Sequence, residues 1–198
     1  MQLRLPLLNV LILALTIALV WSRPGINPLA PQDRSVGEAA IGGPFVLTNQ
    51  DGQTVREEDF RGKLMLVFFG FTHCPDVCPT SAASLSQVMK QLGDKATQVA
   101  PIFISVDPKR DTPAVVKSYF ANFDPRIVAL TGDDEAVKQA ASAYKVYYAA
   151  VAMDGGNDYM VNHSSFIYLM DKKGKYLQHF AYDAPADDIT KAVKTRLK

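Results

Sequence analysis

The chain has 198 residues, of which 48% are hydrophobic and 21% are charged, and its formal net charge is +1. This composition is typical of a globular protein and excludes a largely disordered chain. Proteins that bind nucleic acid usually carry an excess of basic residues, so the near-neutral charge predicts no nucleic-acid partner. The two cysteines are too few for a disulfide-rich scaffold or for a site with four thiolate ligands.

The N-terminal segment predicts a membrane anchor over residues 1–23. Residues 5–22 carry no charge and lie between Arg4 and Arg23. As a helix they would extend roughly 27 Å, close to the thickness of the hydrocarbon core of a bilayer. We therefore predict a transmembrane helix that crosses the inner (cytoplasmic) membrane once and leaves the rest of the chain on the periplasmic, or extracytoplasmic, side. A cleaved signal peptide is the alternative, although no small-x-small cleavage motif follows the apolar run.

Residues 24–44 predict a tether between this anchor and a folded domain at residues 45–198. The segment is rich in proline and glycine and has no apolar periodicity, which is typical of a semi-extended linker. The remaining chain has the usual length of a domain with one core.

From residue 45 onward, predicted strands and helices alternate. In chain order, the pattern predicts a hairpin at 45–55, a strand at 64–69, a helix from Pro79 to about Leu92, a strand at 101–106, a helix opening at Thr112 and Pro113, a strand at 127–130, a helix at 133–144, hairpins at 146–161 and 165–180, and a helix at 185–197. The run at 64–69 is apolar at every position, as in a strand buried on both faces. The alternation predicts an α/β fold whose central sheet is partly parallel and flanked by helices, and the last hairpin makes the sheet mixed.

Both cysteines lie in the segment GFTHCPDVCPTS at residues 70–81, between the buried strand and the next helix. The N-terminus of a helix offers free N–H groups and partial positive charge, which favour a thiolate over a thiol. If the first turn is helical, the spacing of Cys74 and Cys78 places the two sulfurs on one face. The sulfurs can then form a disulfide or bind a metal ion together.

Three interpretations of this pair remain open from the residues alone. A structural disulfide would close only a short loop and would stabilise the fold little. A thiol–disulfide redox pair would make Cys74 and Cys78 catalytic residues. A metal site would use the two thiolates to hold a soft ion, and a third ligand would strengthen that interpretation.

Among the histidines, His163 is the candidate for a third ligand. It lies in the polar segment VNHSS at 161–165, directly before the predicted strand that ends at Met170. If this strand pairs antiparallel with the strand at 64–69, its start meets the end of the other strand, and His163 faces the cysteines. We interpret His73 as a surface residue and His179 as a half-buried strand residue.

At these motifs the sequence resembles the Sco/SenC family, whose members are copper-binding proteins of the thioredoxin superfamily. The resemblance covers roughly residues 38–198 and is carried by GFTHCPDVCPTS at 70–81, FISVDPKRDTP at 103–113 and VNHSSFIYLMD at 161–171. It implies a thioredoxin-like fold. It also implies that Cys74, Cys78 and His163 are the ligands of one copper ion, as Cu(I), Cu(II) or both.

The resemblance further implies delivery of copper to the dinuclear copper centre of cytochrome c oxidase subunit II, with a copper donor protein as a second partner. A thiol-reductase role that prepares the cysteines of that subunit is the alternative within the same family. The thioredoxin superfamily usually has a cis-proline in the loop that faces its cysteines. Here Asn162, His163 and Ser164 stand instead, which disfavours a plain disulfide reductase.

Asp107 follows the predicted strand at 101–106 and allows two interpretations. Its carboxylate could contact the metal site or accept a cysteine proton. Alternatively, it belongs to a turn that leads into the next helix, with Asp111 and Thr112 as the capping residues.

Overall fold

The computed structural model of the protein describes residues 41–153 and 158–197. Its strands are β1 (Val46–Asn49), β2 (Thr54–Arg56), β3 (Leu64–Gly70), β4 (Val99–Ser105), β5 (Val128–Thr131), β6 (Tyr148–Ala152), β7 (Tyr159–His163), β8 (Phe166–Met170) and β9 (Tyr176–Ala181). Its helices are α1 (Val77–Leu92), α2 (Pro113–Phe120), α3 (Asp134–Ala143) and α4 (Ala186–Arg196). Short 3-10 helices cover Glu57–Phe60 and Gly93–Gln98.

Seven strands form one mixed sheet in the order β2-β1-β5-β4-β3-β8-β9, and β6 and β7 form a separate two-stranded sheet. Strand β4 runs parallel to both β3 and β5. Strand β8 runs antiparallel to β3, with Phe68 opposite Ile167, as the sequence analysis expects. The predicted mixed α/β sheet flanked by helices is therefore confirmed.

The two faces of β3 explain why its sequence is apolar throughout. Side chains alternate between the faces of a strand, so each face of a central strand needs its own cover. Met65, Val67 and Phe69 belong to a core that also contains residues of α3. Leu64, Leu66 and Phe68 belong to a second core, which α1 and α4 complete with the buried side chains of Leu85, Val88, Met89, Leu92, Ile189 and Val193.

Helix α1 begins two residues earlier than the predicted start at Pro79. Val77 and Cys78 therefore form its first turn, while Cys74 precedes the helix in the loop that follows β3. The prediction that both cysteines lie on one face of a helix is therefore wrong. Cys74 approaches Cys78 because the loop folds back onto the helix N-terminus, where the Cys78 N–H donates to Cys74 Sγ at 3.4 Å.

The predicted anchor at residues 1–23 and most of the predicted tether lie outside the described residues. Within the described ranges, no helix is both long enough and apolar enough to cross a membrane. Two residues that the sequence analysis places in the tether contact the domain. Ile41 packs against the first core, and the Gly42 N–H donates to the carbonyl of Ala143 at 2.9 Å.

Gly70, the last residue of β3, provides the first testable prediction. A Cβ atom at this position would lie 2.6 Å from Cys78 Sγ and 3.2 Å from Phe103 Cε2, both of which are buried. We expect Gly70→Ala to lower the free energy of unfolding by about 1–3 kcal/mol, the usual cost of overpacking. Denaturant unfolding measures this cost.

The control is the same substitution in a Cys78→Ala background, where the sulfur that causes the clash is missing. Most of the cost should disappear there. An equal cost in both backgrounds would show that Gly70 is required for another reason.

Candidate metal centre

The loop between β3 and α1 places the two cysteines in different environments. Cys78 is 1% exposed, and its sulfur accepts the N–H of Phe71 at 3.4 Å. Cys74 is partly exposed and accepts the N–H of Cys78, which belongs to the first turn of α1. One sulfur is thus enclosed by the protein, and the other is accessible to solvent.

His163 reaches this loop from the end of β7. Its Nε2 lies 3.7 Å from Cys78 Sγ, although the two residues are 85 positions apart in sequence. Its Nδ1–H donates to the carbonyl of Ser164 at 3.0 Å, which leaves Nε2 with a free lone pair in the neutral ring. The ring also stands edge-on to Phe71, with 5.8 Å between the ring centroids.

Cys74, Cys78 and His163 therefore form one candidate metal site. One ligand atom from each residue can be chosen so that all three lie within 4.8 Å of one another. No other His, Cys, Asp or Glu in the described parts of the chain joins this group. Two sulfurs and one imidazole nitrogen suit a soft or borderline metal ion, and three ligands leave a coordination position open.

The two sulfurs differ in their tendency to lose a proton. A hydrogen bond from Cys78 lowers the pKa of Cys74 to about 3, despite burial, with smaller contributions from His163 and from the N–H groups of Asp76 and Cys78. The proton shared with Cys74, together with burial, raises the pKa of Cys78. Cys74 is therefore a thiolate at neutral pH, and Cys78 carries the proton that stabilises it.

Asp111 holds the loop in place, a role that the sequence analysis misses. Its side chain is fully buried and accepts the Thr72 N–H at 3.0 Å, the Thr72 hydroxyl at 2.6 Å and the Ser105 hydroxyl at 2.7 Å. Burial raises the pKa of Asp111, although the donors from Thr72 and Ser105 oppose this.

The capping role expected of the Asp111–Thr112 pair belongs to Thr112, whose hydroxyl accepts the Val115 N–H at 3.4 Å. Sequence alone cannot identify this buried carboxylate, because an aspartate just before a helix is equally typical of a helix cap.

Asp107 does not join the metal site. Its backbone carbonyl accepts the N–H groups of Arg110 and Asp111, as expected for a turn before a helix. Its carboxylate, only 3% exposed, instead accepts hydrogen bonds from Arg110 Nε and from the Tyr159 hydroxyl. Asp107 thus contacts the strand that ends at His163 rather than the cysteines.

The other two histidines lie outside the group. His73 is exposed, as expected, and its Nδ1 lies 3.2 Å from the Thr72 hydroxyl. His179 is also exposed, so the half-buried position expected for it is wrong. It lies on β9, where its Nδ1 is 2.6 Å from the Tyr176 hydroxyl and its ring contacts Phe166.

The central sheet and its helices form a thioredoxin-like fold, and the thiols lie where the central strand meets the first helix. Comparison with known proteins assigns the family. The SCO1/SenC family model matches residues 33–198. The SCO2-like protein RP587 of Rickettsia prowazekii is 43% identical over 183 residues, which cover 91% of this chain and 89% of that protein. The chain therefore belongs to the SCO1/SenC family, which confirms the resemblance to Sco/SenC proteins.

Two solved structures are similar over nearly their whole length. The copper-bound structure of Bradyrhizobium japonicum ScoI is 43% identical, with a TM-score of 0.75, and the match covers 79% of this chain and 99% of that one. BsSco, described as a member of the Sco family of cytochrome c oxidase assembly proteins that has a disulfide switch, is 31% identical, with a TM-score of 0.64. That match covers 81% of this chain and 95% of BsSco.

The low pKa of Cys74 predicts an unusual pH profile for its alkylation. Below its pKa, an ordinary cysteine reacts about tenfold more slowly for each unit by which the pH falls, because only the thiolate reacts. Since Cys74 is already ionised, its reaction with iodoacetamide should stay nearly constant between pH 5 and 8. Mass spectrometry of the labelled peptide measures the rate.

Cys78→Ala removes the hydrogen-bond donor and should restore a rate that rises with pH, whereas Cys78→Ser keeps a donor and should preserve much of the flat profile. A steep profile in the unaltered chain would contradict the assignment of Cys74 as the thiolate.

Asp111→Asn tests the carboxylate that holds the cysteine loop. An amide can accept on its oxygen only, so at least one hydroxyl that now donates to the carboxylate would have to turn and accept, and the hydrogen bonds to a charged acceptor would be lost. We expect the free energy of unfolding to fall by about 1–3 kcal/mol. The control is Asp51→Asn, which removes an exposed ion pair with Lys117 and should change stability by less than about 1 kcal/mol. Equal effects of the two substitutions in thermal unfolding would show that Asp111 has no special role.

Proposed function

We propose that this protein binds one copper ion through Cys74 Sγ, Cys78 Sγ and His163 Nε2 and delivers it to the dinuclear copper centre of cytochrome c oxidase subunit II. The observation that carries the proposal is the convergence of these three atoms within 4.8 Å from two distant parts of the chain. The copper-bound structure of the Bradyrhizobium japonicum relative supports copper as the ion. The description of BsSco as an oxidase assembly protein supports the destination.

The ligand set favours copper over a structural zinc ion. Structural zinc usually has four protein ligands, and the group in the described residues contains three. Thiolates suit Cu(I), and imidazole is a good ligand for Cu(II), so the same residues can hold either oxidation state. Binding must displace the proton of Cys78, so the affinity for copper should rise as the pH rises.

The open position gives the site a route for transfer. A thiolate of the acceptor can bind the ion while the three ligands still hold it, and the ligands of this chain then leave one after another. The ion passes between proteins without release into solvent, and its oxidation state does not change in these steps. The same route in reverse would load the site from a copper donor protein.

The predicted anchor fits this role. Residues 5–22 would hold the protein in the inner membrane, with the copper site on the periplasmic side. Subunit II of the oxidase would then be reached on the same side of the same membrane. The location is part of the proposal and rests on the apolar sequence of that segment.

A thiol–disulfide oxidoreductase is the second candidate, because Cys74 is an accessible thiolate beside a protonated Cys78. In this reaction Cys74 attacks one sulfur of a disulfide in subunit II and releases the other as a thiolate. Cys78 then attacks Cys74 Sγ in the mixed disulfide, gives up its proton and releases the second sulfur. The two cysteines of this chain become a disulfide, and the two of the partner are reduced.

His163→Ala separates the two candidates, because dithiol exchange needs no imidazole ligand. The reduced full-length chain is titrated with Cu(I) without oxygen, and with Cu(II) in a second experiment. We expect one copper per chain and a sulfur-to-copper charge-transfer band for Cu(II). Removing a residue that hydrogen-bonds to a metal ligand typically lowers metal affinity roughly 10- to 100-fold. His163→Ala removes a ligand itself, so we expect a larger loss of copper affinity.

The control is His179→Ala, which removes a histidine outside the group and should leave binding unchanged. The rate at which the chain reduces a small aromatic disulfide should change little in either variant. Equal copper affinity with and without His163 would exclude the three-ligand site and leave the redox pair.

A further inference from the structure

The β6–β7 hairpin carries His163 but lies outside the central sheet. In the part of the chain that the structure describes, its strands pair only with each other. The position of His163 is therefore not set by a ladder of backbone hydrogen bonds to β3 or β8. Val161 belongs to the first core, Tyr148, Tyr159 and Met160 pack against it, and side-chain hydrogen bonds add further contacts between the hairpin and the domain.

Most of these hydrogen bonds meet at Arg110, in the turn after β4. Arg110 Nη1 donates to the carbonyl of Tyr159 at 3.0 Å and to Asp158 Oδ1 at 3.1 Å, and both acceptors belong to the hairpin. Arg110 Nε donates to Asp107, whose other carboxylate oxygen accepts the Tyr159 hydroxyl at 2.6 Å. The guanidinium carbon lies 3.8 Å from the centroid of the Tyr159 ring.

The same guanidinium also faces the metal site. Its central carbon lies 5.8 Å from the centroid of Phe71, and the Phe71 ring stands edge-on to His163. Phe71 is 1% exposed, and its N–H donates to Cys78 Sγ. Arg110 therefore contacts the strand of one candidate ligand and the aromatic residue that packs between the ligands.

The charges around Arg110 explain why an arginine is required. Asp107 is 3% exposed, and an unpaired carboxylate with so little solvent would be costly, so a cation must accompany it. Asp158 is largely exposed, with a side-chain exposure of 75%, and contributes little by itself. A lysine could neutralise Asp107, but it lacks the planar fork that donates to two acceptors while stacking on Tyr159.

We propose that Arg110 is a positioning residue that holds the β6–β7 hairpin so that His163 Nε2 faces Cys78. This inference deepens the proposed function and rests on it, because it assigns a determinant of copper affinity outside the ligand set. Without Arg110, Asp107 loses its cation and the Tyr159 carbonyl loses its donor. The hairpin then keeps its apolar packing against the first core, and His163 samples positions away from the sulfurs.

The first test uses the metal-free, reduced full-length chain and does not depend on copper. Arg110→Gln should raise the amide hydrogen exchange rates of residues 159–163 at least several-fold, with little change in β3 or β4. The matched control is Arg126→Gln, which removes an arginine whose side chain forms an ion pair with Asp124, before β5. It should leave the exchange of the hairpin unchanged.

The second test is a double-mutant cycle on Cu(II) affinity. Arg110→Gln should weaken binding by about tenfold, as the loss of partners around metal ligands does. In a His163→Ala background the same substitution should change affinity by less than about twofold, because the ligand that Arg110 positions is already missing. The Cu(II) affinity of Arg110→Lys should lie between that of Arg110→Gln and that of the unaltered chain. If the Gln variant does not fold, the Lys variant serves as the test.

The outcomes separate this inference from the proposed function. Equal loss of affinity with and without His163, or an unchanged exchange rate in the hairpin, would overturn the role of Arg110 while leaving the three-ligand site intact. If His163→Ala alone leaves copper binding unchanged, the proposed function fails, and the exchange experiment still decides whether Arg110 holds the hairpin.

Discussion

The antiparallel pairing of β3 with β8 is the constraint on which the rest of the structure depends. It places the end of one buried strand beside the start of another that lies almost 100 residues later in the chain, with Leu66 opposite Leu169. The loop that follows β3 contains the cysteines, and the residues that precede β8 contain His163. The strand register thus brings together the two chain segments that carry the candidate ligands, and two packed cores fix that register from both faces of the sheet.

The site combines rigid and less rigid parts. Asp111 and Ser105 fix the cysteine loop through buried hydrogen bonds, and Gly70 allows Cys78 to pack directly against the end of β3. His163, by contrast, belongs to a two-stranded sheet that contacts the domain through side chains and not through a backbone ladder to the central sheet. If the protein both holds a copper ion and passes it on, as proposed above, this division lets one ligand withdraw while the thiol pair stays in place.

Periodicity and composition predict most of the fold, because buried strands and amphipathic helices leave clear patterns over many residues. The antiparallel approach of the strand after His163 is one arrangement that the sequence analysis considers, and the complete ligand set of Cys74, Cys78 and His163 comes from the resemblance to the Sco/SenC family. The start of α1 does not follow from the sequence, because Pro79 is compatible with several positions in a first turn. The roles of Asp111 and Arg110 are hidden for another reason. Each depends on partners 39 or more positions away, such as Thr72 and Tyr159, and nothing in the local sequence identifies them.

The unequal exposure of the two cysteines bears on the proposed transfer of the ion. Cys78 is buried, with its sulfur beside Gly70 and accepting the Phe71 N–H, whereas Cys74 is partly exposed. Under the proposed function, an approaching protein would compete for the ion from the side of Cys74 and His163, which are both partly exposed. The buried sulfur of Cys78 would then be the last ligand to release the ion, so the proposed transfer would have a direction in space.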